Sequence, residues 1–171
     1  MPPANTVANF GEPNAAPNFL GSIIPYTKNR DVFYCPSTVE ATKVGYDKGY
    51  ASTALSRSSY QGNGVVMGRT LSVMPAPADI VYLDENMFRW NYAWLRPQEY
   101  PKKGQFSWWH WNQGIGKTEQ YSNVHSGGGN LVFVDGHAKY RSINGLRSID
   151  FGMLPDVGIE ADSNKIYAAA F

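Results

Sequence analysis

Cysteine is nearly absent from this sequence: Cys35 is the single one in 171 residues. No internal disulfide can form, so a packed core must hold the fold. Long apolar runs are missing too. Nothing approaches the ~18 consecutive apolar residues of a spanning helix, and no membrane span is expected. Charge of one sign is not in excess, since fifteen Lys and Arg face fourteen Asp and Glu. A net charge of +1 supplies no field to gather nucleic acid or anionic lipid, so no nucleic-acid partner is expected. Residues 1–18 have no basic segment leading into an apolar one, which excludes the signal-peptide pattern. Catalytic signatures are also thin. No Gly-x-Ser-x-Gly elbow occurs. Gly114-Ile115-Gly116-Lys117-Thr118 ends like a phosphate loop, but Trp111 stands where that loop needs its first glycine. The adjacent carboxylates Asp84 and Glu85 point to opposite faces of a strand and make a poor acid–base pair. An enzyme is not expected.

What the sequence has in quantity is glycine (17), proline (11) and aromatic side chains (14%). Glycine and proline at that level favour strands and turns over long helices. Residues 1–17 read as an extended, proline-punctuated arm, and residues 18–171 as one domain. Asn18 is placed to cap a short helix through Phe19, Leu20, Ile23 and Ile24, limited by Pro25. Cys35, before Pro36 in an apolar segment, reads as an inert, mostly buried thiol. Residues 37–64 are polar and read as irregular surface structure, with turn chemistry at Ser59–Gly64. Val65–Met67 is a strand candidate, and Ile80–Leu83 reads as a buried strand ending at Asp84-Glu85. Residues 86–124 then form a long aromatic-rich insertion. Ile166–Phe171 is expected as an edge strand or a plug.

The clearest local signal is a hairpin. Asn130–Val134 and His137–Ile143 are strands around Asp135-Gly136, a dipeptide suited to a two-residue type I′ turn. Such a turn sets Val134 opposite His137, Phe133 opposite Ala138, Val132 opposite Lys139 and Leu131 opposite Tyr140. Leu131, Phe133, Ala138 and Tyr140 would then share the core face. Gly127-Gly128-Gly129 precedes a strand rather than a helix, so close backbone approach is the expected role.

His125 followed by nine residues and then Asp135-Gly136 resembles the prepilin-type processing-associated domain named for its His-x9-Asp-Gly pattern. Ile24-Pro25-Tyr26, Val32-Phe33-Tyr34-Cys35-Pro36-Ser37, Ser59–Gly64 and Pro77–Asp84 resemble further elements of that family, in its order. Together the match covers roughly residues 19–143. The resemblance implies an α+β to mainly β, pilin-like domain with an antiparallel sheet and a short N-terminal helix. It also implies a non-enzymatic subunit of a pilus-like filament or secretion pseudopilus, extracellular, on the cell surface or in the periplasm. The expected partners are like subunits and the type II secretion or type IV pilus assembly machinery. The family's leader and apolar helix are not seen in this sequence, which makes the arm at residues 1–17 the candidate for contacts by strand addition.

Two other groups of residues compete for function. Asp84, His125, Asp135 and His137 are the polar residues a metal site would gather, for zinc, or for calcium with Asp84 and Glu85. The competing reading is structural: Asp135 and Gly136 serve the turn, while His125, Gly127 and Gly128 hold the hairpin base. Trp90, Trp94, Trp108, Trp109 and Trp111 are candidates for a subunit interface or a sugar-binding surface, against a role in the domain's own core. A carbohydrate-binding module and a metal-dependent enzyme using His125 and Asp84 are therefore the rival functions.

Overall fold

The structure is a computed structural model, and it describes residues 19–45, 48–99, 102–108, 122–158 and 165–171. The arm at residues 1–17, Asn18 with its expected cap, Trp109 and Trp111 lie outside the described residues. Strands dominate, in two sheets. The first contains β1 (Val39–Glu40), β2 (Ser58–Gly62), β3 (Val81–Trp90), β6 (Gly128–Phe133) and β7 (Ala138–Ser142). The second contains β4 (Gln98–Glu99), β5 (Gln105–Ser107), β8 (Met153–Leu154) and β9 (Tyr167–Ala169), in the order β4-β5-β9-β8. The α+β to mainly β expectation holds at this level. The first sheet is mixed rather than purely antiparallel, because β1 runs parallel to β3.

β3 organises the first sheet. It pairs with β1 through Phe88 and Arg89, with β2 through Leu83–Glu85 and Trp90, and with β6 through Val81–Asp84. Inward-facing Val81, Leu131 and Phe133 of this sheet meet Phe106, Met153 and Tyr167 of the second. The main core therefore lies between the two sheets, completed by Trp108, Leu146, Phe151 and Val65. A smaller cluster of Leu20, Phe33 and Ala93, with Phe19 beside it, seats the short α-helix α1 (Ile24–Thr27) through Ile24.

Several sequence expectations need correction here. Pro25 does not stop the helix; it sits in its first turn, where a missing N–H leaves no partner unmet. The helix ends instead at Lys28, in the left-handed region at φ 52°. The segment 37–64 is irregular and partly exposed only over its first two thirds; its end is not. Ser56, Ser58, Ser59, Gln61 and Asn63 are buried, and β2 is a paired strand. Val65–Met67 is a turn, closed by amides of Val66 and Met67 on the carbonyl of Asn63. β3 does not end at Asp84-Glu85 but continues to Trp90, so the insertion at 86–124 begins as the second half of a strand. The tail is no edge: β9 pairs with β5 on one side and β8 on the other.

The hairpin forms, with a different turn. The amide of Phe133 donates to His137 and the amide of Gly136 to the Phe133 carbonyl. The loop is thus three residues, Val134-Asp135-Gly136, with Gly136 at φ 95°. This is a type I turn followed by a left-handed glycine, which uses the same Asp-Gly dipeptide as the shorter turn. The register moves by one: Val132 faces Ala138, Leu131 faces Lys139 and Asn130 faces Tyr140. A one-residue slip inverts the strand's faces. Tyr140 is consequently 45% exposed rather than in the core, and Ala138 is exposed as well.

Candidate functional site

The base of this hairpin is a tight knot of backbone. His125 and Gly128 exchange amide–carbonyl hydrogen bonds of 3.2 and 3.3 Å. The Ile143 amide donates to the Gly127 carbonyl, and the Tyr140 hydroxyl to the Ser126 carbonyl at 3.1 Å. Gly127 has φ 81°, and a Cβ on Gly128 would lie 2.1 Å from the Arg141 carbonyl oxygen. Gly128 and Gly129, the first two residues of β6, allow the expected close approach, whereas Gly127 has open space around it and serves its positive φ. At the other end, Asp135 accepts hydrogen bonds from the His137 amide at 3.1 Å and pairs with its Nδ1 at 2.7 Å. Those bonds, the backbone one foremost, hold the Asp135 carboxyl below the usual aspartate range. His125 and Asp135-Gly136 thus mark the open and closed ends of one β-ribbon.

Above the base, β3 presents Glu85. The strand alternation that puts Asp84 on the side of Leu131 puts Glu85 on the side of Asn130 and Tyr60. The Glu85 side chain is fully buried (0% exposed). Its Oε2 accepts from the Asn130 amide at 2.9 Å and from Asn130 Nδ2 at 3.1 Å. Its Oε1 lies 3.0 Å from His125 Nε2. Cys35 completes the group, with Sγ 3.4 Å from that same Nε2. The Cys35 amide is fixed by Ser59 Oγ at 2.8 Å, and its carbonyl accepts from Thr38. The three ligand atoms of Cys35, Glu85 and His125 all lie within 4.8 Å of one another. Tyr60 borders them: burial first, and then the charges of Glu85 and Cys35, push its phenol above the usual tyrosine range.

This geometry is not that of a nucleophile relay. A Cys–His–carboxylate relay runs through both ring nitrogens, with the acid on one and the thiol on the other. Here thiol and carboxylate converge on one nitrogen. What the arrangement can do is hold a cation or fix the hairpin base.

The metal set expected from sequence does not assemble. Asp135 and His137 pair with each other at the exposed tip, five residues of strand or more from the base. Asp84 points away from His125 into the core, where its Oδ1 has no hydrogen-bond partner. Burial there pushes its carboxyl well above the usual value, against an opposing pull from Arg96. His125 alone of that set belongs to the cluster. Cys35 is the member that sequence reading missed, and Glu85 was weighed only as a calcium ligand beside Asp84, never as a partner of His125. The pairing of β3 with β6 identifies Glu85 and the docking of residues 33–38 identifies Cys35; no local pattern signals either. Among the tryptophans, Trp108 (1% exposed) and Trp90 are core residues and Trp94 is half-buried against Trp90, so the first two form no surface.

Comparison with protein-family models, with curated proteins and with solved structures gives no match.

Proposed function

We propose that this chain is the globular part of a pilin-like or pseudopilin-like protein, a non-enzymatic subunit of a filament outside the cytoplasm. One observation carries the reading: the four segments that resemble the His-x9-Asp-Gly family are neighbours in the fold. Cys35 of the first bonds to Ser59 of the second and touches His125 of the fourth. Tyr60 pairs with Glu85, which follows the third segment, and Asp84 of that segment pairs with Leu131. The fourth segment is the β6–β7 hairpin itself.

That hairpin offers a route to assembly. β7 closes one end of the first sheet, and among the described residues no strand covers its outer side. Hydrogen-bonded pairs fall at Phe133–His137 and Gly127–Ile143. Alternation between them leaves the backbone of Ala138, Tyr140 and Ser142 facing the free edge. Lys139 and Arg141 on the same strand discourage indiscriminate pairing, so the edge suits a matched segment of another subunit. Fractions sheared from cells carrying the full gene product should contain filaments with this chain. Ala138→Pro removes an outward amide without touching the ladder to β6 and should abolish them while leaving the monomer folded. Wild-type fractions without any assembly would overturn the proposal. The carbohydrate-binding alternative loses Trp90 and Trp108 to the core and gains no support from the geometry of the described residues.

A further inference from the structure

Glu85 raises a question that the filament reading leaves open. A carboxylate removed from water is costly unless a cation or several donors face it. Asn130 satisfies one oxygen, and the other is turned toward His125 and Cys35. Three different ligand types from residues 50 and 40 positions apart are thereby aimed at one point.

We propose that Cys35, Glu85 and His125 form a binding site for a single divalent transition-metal ion, zinc above others, with the fourth position open. The distances support it. Tetrahedral zinc with Zn–S ≈ 2.3 Å and Zn–N or Zn–O ≈ 2.0–2.2 Å separates sulfur from nitrogen by about 3.6 Å and nitrogen from oxygen by about 3.4 Å. The observed separations are 3.4 and 3.0 Å, so small outward shifts admit the ion. Charge also balances, because one thiolate and one carboxylate neutralise a divalent cation in a largely buried place. Binding breaks the Cys35 S–H bond, forms S–Zn and releases the proton to water. The Asn130 bonds to Oε2 are the outer contacts that keep Oε1 directed at the ion. Calcium fits poorly: it needs six to eight oxygens, whereas this site offers sulfur, nitrogen and one free carboxylate oxygen. His125 is 35% exposed, so the site has an entry path from solvent. The ion would tie three distant segments together at the hairpin base. The inference does not depend on filament assembly.

The test is titration of the purified, metal-stripped and reduced chain with Co²⁺. One equivalent should produce a sulfur-to-cobalt charge-transfer band together with tetrahedral d–d bands, and one equivalent of zinc should erase both. Cys35→Ser should lose the charge-transfer band and bind at least about 100-fold more weakly. Asn130→Ala should keep the spectrum and lose about 10–100-fold in affinity. A second reading uses the wild-type chain alone: zinc should slow alkylation of Cys35, and calcium should not. Absence of a thiolate band, wild-type binding by Cys35→Ser, or alkylation indifferent to zinc would each overturn the site.

Discussion

Gly128 is the position where a single methyl group should do most harm. Its ideal Cβ would stand 2.1 Å from the carbonyl oxygen of Arg141 and 2.7 Å from the hydroxyl of Tyr140. The tyrosine can swing aside, but the carbonyl belongs to the backbone of β7. It must retreat to the 3.4 Å of an ordinary contact, which loosens the His125–Gly128 exchange and the end of the β6–β7 ladder. Overpacking costs about 1–3 kcal/mol, and each weakened hydrogen bond adds about 1 kcal/mol. Gly128→Ala should therefore destabilise by about 3 kcal/mol, a large share of the 5–15 kcal/mol typical of a domain. Two other glycines calibrate the result. Gly136 has open space but φ 95°, so Gly136→Ala should cost only about 1 kcal/mol of backbone strain. Gly145 has neither a close neighbour nor a positive φ, and Gly145→Ala should be near neutral. Urea unfolding followed by circular dichroism gives the order. If Gly128→Ala proved no worse than Gly136→Ala, close approach at the hairpin base would be refuted.

Two further outcomes follow from buried polar groups. Asp84 is buried, and that burial raises its carboxyl pKa. Its raised folded value means that stability is fullest below the unfolded pKa and declines as pH rises through the folded one. Asp84→Asn should accordingly be more stable than wild type at neutral pH and lose that advantage in acid, as read by thermal melts across pH. Asn63 donates to the carbonyls of Val81 and Phe151 and accepts from the Val65 amide, all in the interior. Asn63→Ala leaves those groups unpaired and should cost about 3 kcal/mol or more by chemical denaturation.

How much of this was legible in the sequence depends on where the information lies. The hairpin was, because two apolar runs around Asp-Gly admit little else. Its turn length was not, since the same dipeptide serves a two-residue turn and the last two places of a three-residue one. That single residue decides whether Tyr140 faces the core or the solvent. Polar composition misled in the segment containing Ser58, Ser59 and Asn63, where hydroxyl and amide side chains are buried because they bond to nearby backbone. Asp84-Glu85 looked like the end of a strand because carboxylates usually leave a sheet. Glu85 stays because Asn130 and His125 receive it. Cys35 carried no sign of its neighbours, which come from residues 50 and 90 positions away.

The central claim is that this domain is displayed as a repeating subunit on a filament. Immunogold electron microscopy of source cells, with antibody raised against the chain, tests it most directly. Regularly spaced label along thin surface fibres is the predicted result, and label confined to the cytoplasm or dispersed without fibres would contradict it.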